Sequence, residues 1–328
     1  IAYLLYLPCK KIEKIYEKQK IKIIAKKARP LSVITVYAIV VLILVILINF
    51  IFPVLIESIT ELLSNIQWYY ENAINSFNNL PEDSFLKGDI AKDIIQNIQS
   101  IDIKQYLSID TIFEYAKNAF GIISSVFDIF VTIIVSIYIL AGRAQILKFV
   151  RNLAYAIFSE KTYNSMEKYF DNTNSIFFNF LASQFLDAII VGILTTIAMT
   201  IMGVRYAPLL GFMIGLFNMI PYVGAIIAVV VAALITLITG GLSQAIWMII
   251  IVTILQQIDA NIINPKIIGN SLKISPLLVI FAITVGGAYF GILGMFLAVP
   301  VIAVLKIIVE DYIQYKIRHK KEKESISL

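Results

Sequence analysis

Two runs place a carboxylate among amides inside otherwise apolar sequence. One is Gln184-Phe-Leu-Asp187, the other Gln256-Gln257-Ile-Asp259-Ala-Asn261-Ile-Ile-Asn264-Pro265-Lys266. An ionisable side chain within a membrane span is costly, faces the protein interior or water, and marks an ion path or a cargo contact. Amides at the same depth bond neighbouring helices or freed backbone groups. Two chemistries fit: a carboxylate that carries a proton, cation or polar cargo, or a polar clamp between helices. On a helix Gln257, Asn261 and Asn264 share one face, with Gln256 and Asp259 on an adjoining one. Asp187 falls roughly two to three turns into its apolar run, where a helix-start position at the interface is the plainer alternative.

Two further apolar stretches, 207–240 and 275–309, are interrupted in their middles. The first holds Asn218-Met-Ile-Pro221-Tyr222-Val-Gly224, the second Gly286-Gly287 with Gly291 and Gly294. Pro221 has no amide hydrogen and clashes with the preceding turn. Irregular backbone at membrane depth persists only when buried in protein or lining a wet cavity. Asn218, Pro221, Tyr222, Thr284 and Tyr289 therefore join Gln184, Asp187, Gln256, Gln257, Asp259 and Asn261 as candidates for a substrate or ion pathway. A packed kink with its own amides satisfied is the alternative. The spacings Gly211-x-x-x-Gly215 and Gly287-x-x-x-Gly291 let helices approach closely. With Gly224, Gly286 and Gly294 they are expected to serve packing or hinge movement.

The composition says what must hold these residues. Of 328 residues 59% are hydrophobic and 15% charged, with mean hydropathy +0.85. Soluble domains carry about 25% charged residues, and uncharged apolar runs of about 18 or more are membrane-span candidates. The expected fold is an all-α polytopic membrane protein, with crossing helices, two re-entrant hairpins and an extracytoplasmic amphipathic insert. One cysteine, Cys9, and one histidine, His319 in a charged tail, argue against a disulfide framework or a metal centre. No P-loop, nucleophile elbow or zinc-protease pair is present, so no enzyme and no cofactor is expected. The basic residues cluster beside spans, which reflects topology and not nucleic-acid binding.

The chain opens at Ile1 inside an apolar segment and reads as a fragment lacking its N-terminus. Residues 1–30 form the end of a membrane helix and a basic cytoplasmic loop. Residues 31–142 form two membrane helices flanking the insert, 55–118, whose Trp68, Tyr69 and Tyr70 suit headgroup level. A cytoplasmic connector, 143–175, leads to a transport core, 176–310, and a basic tail, 311–328. Both ends of the core lie on the basic side, so its crossings are even in number. Either 207–240 and 275–309 are both long single crossings, or both are hairpins. Hairpins keep Lys266 and Lys273 on the basic side and are the expectation. Gln184-x-x-Asp187 recurs as Gln256-x-x-Asp259, and Ala207-Pro208-Leu-Leu as Ser275-Pro276-Leu-Leu. These matches suggest an inverted repeat, the pattern of many secondary transporters.

The stretches PLLGFMIGLFNMIPYVGA, LQQIDANIINPKIIGNSLKISPLL and GGAYFGILGMFLAVPVIAVLK resemble, in order, the motifs of the autoinducer-2 exporter (AI-2E) family. The resemblance implies eight membrane helices, of which the first and most of the second are absent here. It also implies ring-like homo-oligomers, re-entrant hairpins and elevator-type movement in a bacterial cell membrane. Its departures are Asp259 where a glutamate is usual and Ser183 where a glycine is typical. The family includes proteins of spore-forming bacteria, and the Ile/Lys/Asn-rich composition suits an AT-rich genome. Three readings follow from these motifs. The first is a secondary exporter of a small polar solute such as autoinducer-2. The second is a sodium(lithium)/proton antiporter, with Asp259 or Asp187 as the exchanging group. The third is a non-transporting structural protein of the envelope or of sporulation.

Overall fold

The computed structural model describes residues 1–19, 21–78, 126–268 and 274–326, all of whose regular structure is helical. The second half of the insert, 79–118, and Lys273 lie outside the described residues. Among the described residues five helices are long and apolar enough to cross a membrane, which makes this a multi-pass membrane protein.

Helix α1 (Ala2–Glu17) and the short α2 (Lys22–Lys26) lead into α3 (Ala28–Ile46). Pro30 sits in the first turn of α3, where its missing N–H costs nothing. The sequence reading starts the extracytoplasmic insert at residue 55. The helix instead passes through a π turn, Leu47–Ile51, into α4 (Phe52–Ser64), so Ala28–Ser64 is one apolar rod. Pro53 explains the π turn: it removes a ladder hydrogen bond, and the looser turn before it absorbs the bend. Helix α5 (Ile66–Asn78) follows.

Helices α6 (Val126–Ile157) and α7 (Glu160–Ile201) are antiparallel. Arg151 of α6 reaches Glu167 and Asp171 of α7, each at 3.3 Å. Residues 143–175 are thus the polar ends of two long helices joined at Phe158-Ser159. Helix α7 closes in a glycine-ended cap: Gly203 has φ 66° and Val204 N–H reaches Met199 O at 2.9 Å.

Helix α8 (Ala207–Asn218) then runs back along α7. The approach is close because both faces are small. A Cβ on Gly215 would lie 2.6 Å from Ala188 O, and one on Gly192 3.3 Å from Gly211 O. Helix α9 spans Val223–Ile258 but breaks at Gly241, whose φ of 81° favours glycine. After that break Gln244 Nε2 donates to Gly203 O at 3.0 Å and Met202 O at 3.3 Å. Both ends of 207–240 therefore lie at the same end of α7, and Asn218-Met-Ile-Pro221 forms the tip.

A second π turn, Asp259–Ile263, leads into α10 (Asn264–Ile268), and α11 spans Pro276–Ile326. Helix α11 breaks at Gly291, with φ 61° and ψ −147°. A Cβ on Gly286 would lie 2.5 Å from Gly294 O. In one straight helix these residues are about 12 Å apart along the axis, so the chain doubles back at Gly291. The returning half lies along α7: the Phe180 and Phe296 rings are 5.9 Å apart, and Lys168 Nζ meets Asp311 at 2.8 Å.

Three apolar clusters hold this arrangement. One joins α7, α8 and α9 around Met199, Leu210, Ile214 and Met248. A second joins Phe180 to both halves of α11, and Ile220 and Val223 from the first tip pack onto it. The third is separate and joins α1, α3 and α6 around Cys9, Val36, Tyr37 and Leu140. There Arg29 donates to Glu13 at 2.6 Å and to Leu140 O at 2.7 Å, and the Tyr37 and Ser136 hydroxyls meet.

Candidate functional site

Helix α8 stops at Asn218 because the next residues cannot continue it. Pro221 has no amide hydrogen, and Tyr222 adopts φ 63°, ψ −60°. Val223 N–H donates to Pro221 O at 2.8 Å, closing a γ-turn of the rare, strained hand. Gly224 has no room for a side chain, since a Cβ would strike Phe217 O. The end of α8 leaves carbonyls without helical partners. Gln184 of α7 takes one, its Nε2 donating to Asn218 O at 2.7 Å.

That clamp aims the Asn218 side chain at two carboxylates. Its Nδ2 donates to Asp187 Oδ2 at 2.9 Å and reaches Asp259 Oδ2 at 3.5 Å. Asp187 comes from the middle of α7 and is 1% exposed; Asp259 begins the second π turn and is 5% exposed. Gln184 and Asn218 are equally buried. The other oxygen of each carboxylate, Asp187 Oδ1 and Asp259 Oδ1, is buried without a hydrogen-bond donor, and Gln256 Nε2 is buried without an acceptor. A π turn displaces a side chain from its α-helical position and is frequent at functional sites.

Gln184, Asp187, Asn218 and Asp259 thus meet, from three helices distant in sequence. Asp187 lies deep within α7, which begins at Glu160, and not at a helix start. Gln256 is half-buried nearby in sequence. Other candidates lie elsewhere. Gln257 and Asn261 are exposed and bond each other, Asn261 Nδ2 donating to Gln257 O at 2.7 Å. Tyr222 and Tyr289 are exposed, and the Thr284 hydroxyl donates to its own helix at Ile280 O. Pro221 shapes the tip without offering it a donor. Gly211, Gly215, Gly224, Gly286, Gly287 and Gly294 are all tight against neighbouring atoms, while Gly291 is a bend in open space.

Sequence reasoning did not find two supports of the site. Ser183, one residue before Gln184, donates from its hydroxyl to Ile267 O at 3.3 Å, tying α7 to α10. At the far end of α7, Arg205 donates to Glu61 at 2.7 Å, and the buried Tyr69 and Tyr206 hydroxyls meet at 3.0 Å. Burial and the Tyr69 hydroxyl push the Tyr206 phenol well above its usual range, so it stays protonated. The only signal for this contact was an arginine and a tyrosine in an otherwise apolar turn.

A multi-pass helical membrane protein with ionisable groups buried where broken helices meet is, by class, a membrane transporter. The sequence model of the AI-2E family transporter matches residues 14–314, and the chain belongs to that family. YueF of Bacillus subtilis (strain 168), named as a candidate transport protein, is 26% identical over 311 residues, 93% of this chain and 81% of YueF. YrrI of the same organism, similarly named, is 36% identical over 141 residues, 43% of this chain and 40% of YrrI. YhhT of Escherichia coli (strain K12), also so named, is 27% identical over 132 residues, 40% of this chain and 38% of YhhT. The matches to YrrI and YhhT thus span less than half of each relative.

Proposed function

We propose that this protein is a secondary transporter that exchanges protons for a monovalent cation, sodium or lithium, at Asp187 and Asp259. One observation carries the reading. Two buried carboxylates share a single amide donor, and each keeps an oxygen with no donor. Such a pair is tolerated in a low-dielectric interior only with compensating positive charge. A proton between the carboxylates supplies it in one state. A small cation held by the carboxylate oxygens supplies it in the other, since hard cations favour oxygen ligands. Both occupants neutralise the same site, so they compete, and competition is exchange.

The surrounding architecture supports a moving carrier. Residues 207–240 and 275–309 are read as re-entrant hairpins entering from opposite membrane faces. The first has both ends by Met202 and Gly203, and the second folds at Gly291. The meeting of Asp187 with Asp259 favours the inverted repeat, because it puts the repeated Gln-x-x-Asp runs at one point. The apolar cluster of α1, α3 and α6 is separate from those around α7. A fixed unit and a sliding unit, elevator fashion, fit that division. The basic ends face the cytoplasm of a bacterial cell by the positive-inside bias, and a homo-oligomer would brace the fixed unit.

Export of a small polar solute is the competing reading, carried by the family. Reconstituted liposomes separate the two. An inward sodium gradient should drive proton movement, read with an internal pH dye, and Asp187→Asn or Asp259→Asn should abolish it while elution on size exclusion is unchanged. Solute efflux indifferent to sodium, with no proton movement, would replace the antiport reading. No flux of either kind from an intact protein would favour an envelope or sporulation role without transport.

A further inference from the structure

A second site stands apart from the carboxylate pair. A cavity of about 400 Å³ lies between α1, α6 and α7. It begins at Asn179 of α7, roughly two helical turns from Asp187, and extends to Asp171 at the basic end of the bundle. Three cations line it: Lys10 of α1, with Arg143 and Arg151 of α6. One carboxylate, Asp171, also lines it, and Arg151 already engages both Asp171 and Glu167. Arg143 and Lys10 have no carboxylate partner among the described residues. Both lie over the Tyr6 ring, at 3.7 Å and 5.8 Å from its centroid. The aromatic ring fixes the guanidinium plane and leaves its N–H groups for another acceptor.

The walls change along the cavity. Leu7 precedes Lys10 on α1 and Phe178 lies beside Tyr3, while Leu147 and Phe170 sit among the charged residues, and Arg143 directly follows the apolar run that ends at Gly142. By chain position Leu7 and Phe178 lie toward the apolar span, and Lys10 and Arg143 stand where the apolar runs end. That combination suits one chemistry: a phosphate joined to an acyl chain. Arginine forks match phosphate oxygens, and lysine adds a point charge. A free phosphate would meet the cations but not the apolar walls.

We propose that this cavity binds an anionic phospholipid, its phosphate between Arg143 and Lys10 and its first acyl carbons against Leu7 and Phe178. The lipid then fills the seam between α1 with α6 and the helix that carries Asp187. The test is native mass spectrometry of the purified full chain, loaded from mixed phosphatidylglycerol and phosphatidylcholine. The wild-type protein should retain phosphatidylglycerol selectively. Lys10→Gln and Arg143→Gln should each lower retention about fivefold, the contribution of one cation at a membrane surface. Lys148→Gln, exposed on α6 outside the cavity, should leave it unchanged. Leu147→Trp fills the cavity with every charge kept and should also release the lipid, which covers the case of a charge variant that fails to fold. Equal retention in all variants overturns the proposal. Displacement of the lipid by millimolar inorganic phosphate also overturns it, and makes the site one for a soluble anion.

Discussion

Asn218 is the residue on which the site depends. It is the only donor, among the described residues, to either buried carboxylate. Asn218→Leu keeps the volume and removes the amide. It should lower stability by about 1–3 kcal/mol, the cost of a buried polar group left unpaired, and should lower transport further than Gln184→Leu. Thermal melts and flux on the same preparations check this. Tyr222 offers the opposite case. Its φ of 63° costs about 1–3 kcal/mol in a residue other than glycine, and its ring is exposed. Tyr222→Gly should leave the melting temperature unchanged or raise it; a fall would mean the ring makes a contact the structure lacks. Carboxylates and amides in apolar sequence are conspicuous by type, so Asp187, Asp259, Gln184 and Asn218 were legible. Their meeting was not, because Asn218 lies 31 and 41 residues from its two partners and no local periodicity encodes such a distance. Thr284 and Tyr289 drew attention by their place beside the break in the second stretch; Tyr289 is exposed and the Thr284 hydroxyl bonds its own helix.

At the scale of elements, close approach of α7 and α8 positions the tip. Gly215→Val places side-chain atoms against Ala188 O, where a Cβ alone is already at 2.6 Å. It should lower stability by about 1–3 kcal/mol through overpacking and should separate Asn218 from Asp187. Thermal melts and flux on the same preparation check this, and a variant that melts as wild type would contradict the packing. The base of the same pair is tied to α4 and α5 by unequal contacts. Arg205 and Glu61 are both about half exposed, so Arg205→Ala should cost only about 0–1 kcal/mol. Tyr206→Phe leaves the buried Tyr69 hydroxyl unpartnered and should cost about 1–3 kcal/mol. The breaks at Pro221 and Gly291 were readable from residue type. The π turns were not, because one extra residue in a turn leaves no mark on an apolar pattern; only Pro53 hints at the first.

At the scale of the molecule, the membrane class was plain in the composition, and family membership in three ordered motifs. The path of the chain was harder to read. Apolar stretches of 34 and 35 residues, 207–240 and 275–309, suit a long crossing or a hairpin equally well, and two lysines were the only charges to choose between them. Contacts of Gln244 with Gly203 and of Gly286 with Gly294 support the proposed hairpins. The side of the membrane is testable with Cys9→Ser as background: Lys266→Cys should react with an impermeant maleimide only from the cytoplasmic face, and reaction from outside alone would invert the proposed topology. The central claim, that Asp187 and Asp259 form one site where a proton and a cation exclude each other, has a more direct test. Sodium added to the purified protein in weakly buffered detergent should release about one proton per protomer, and Asp187→Asn or Asp259→Asn should each abolish the release. Sodium binding without proton release, or release that survives in both variants, would contradict it.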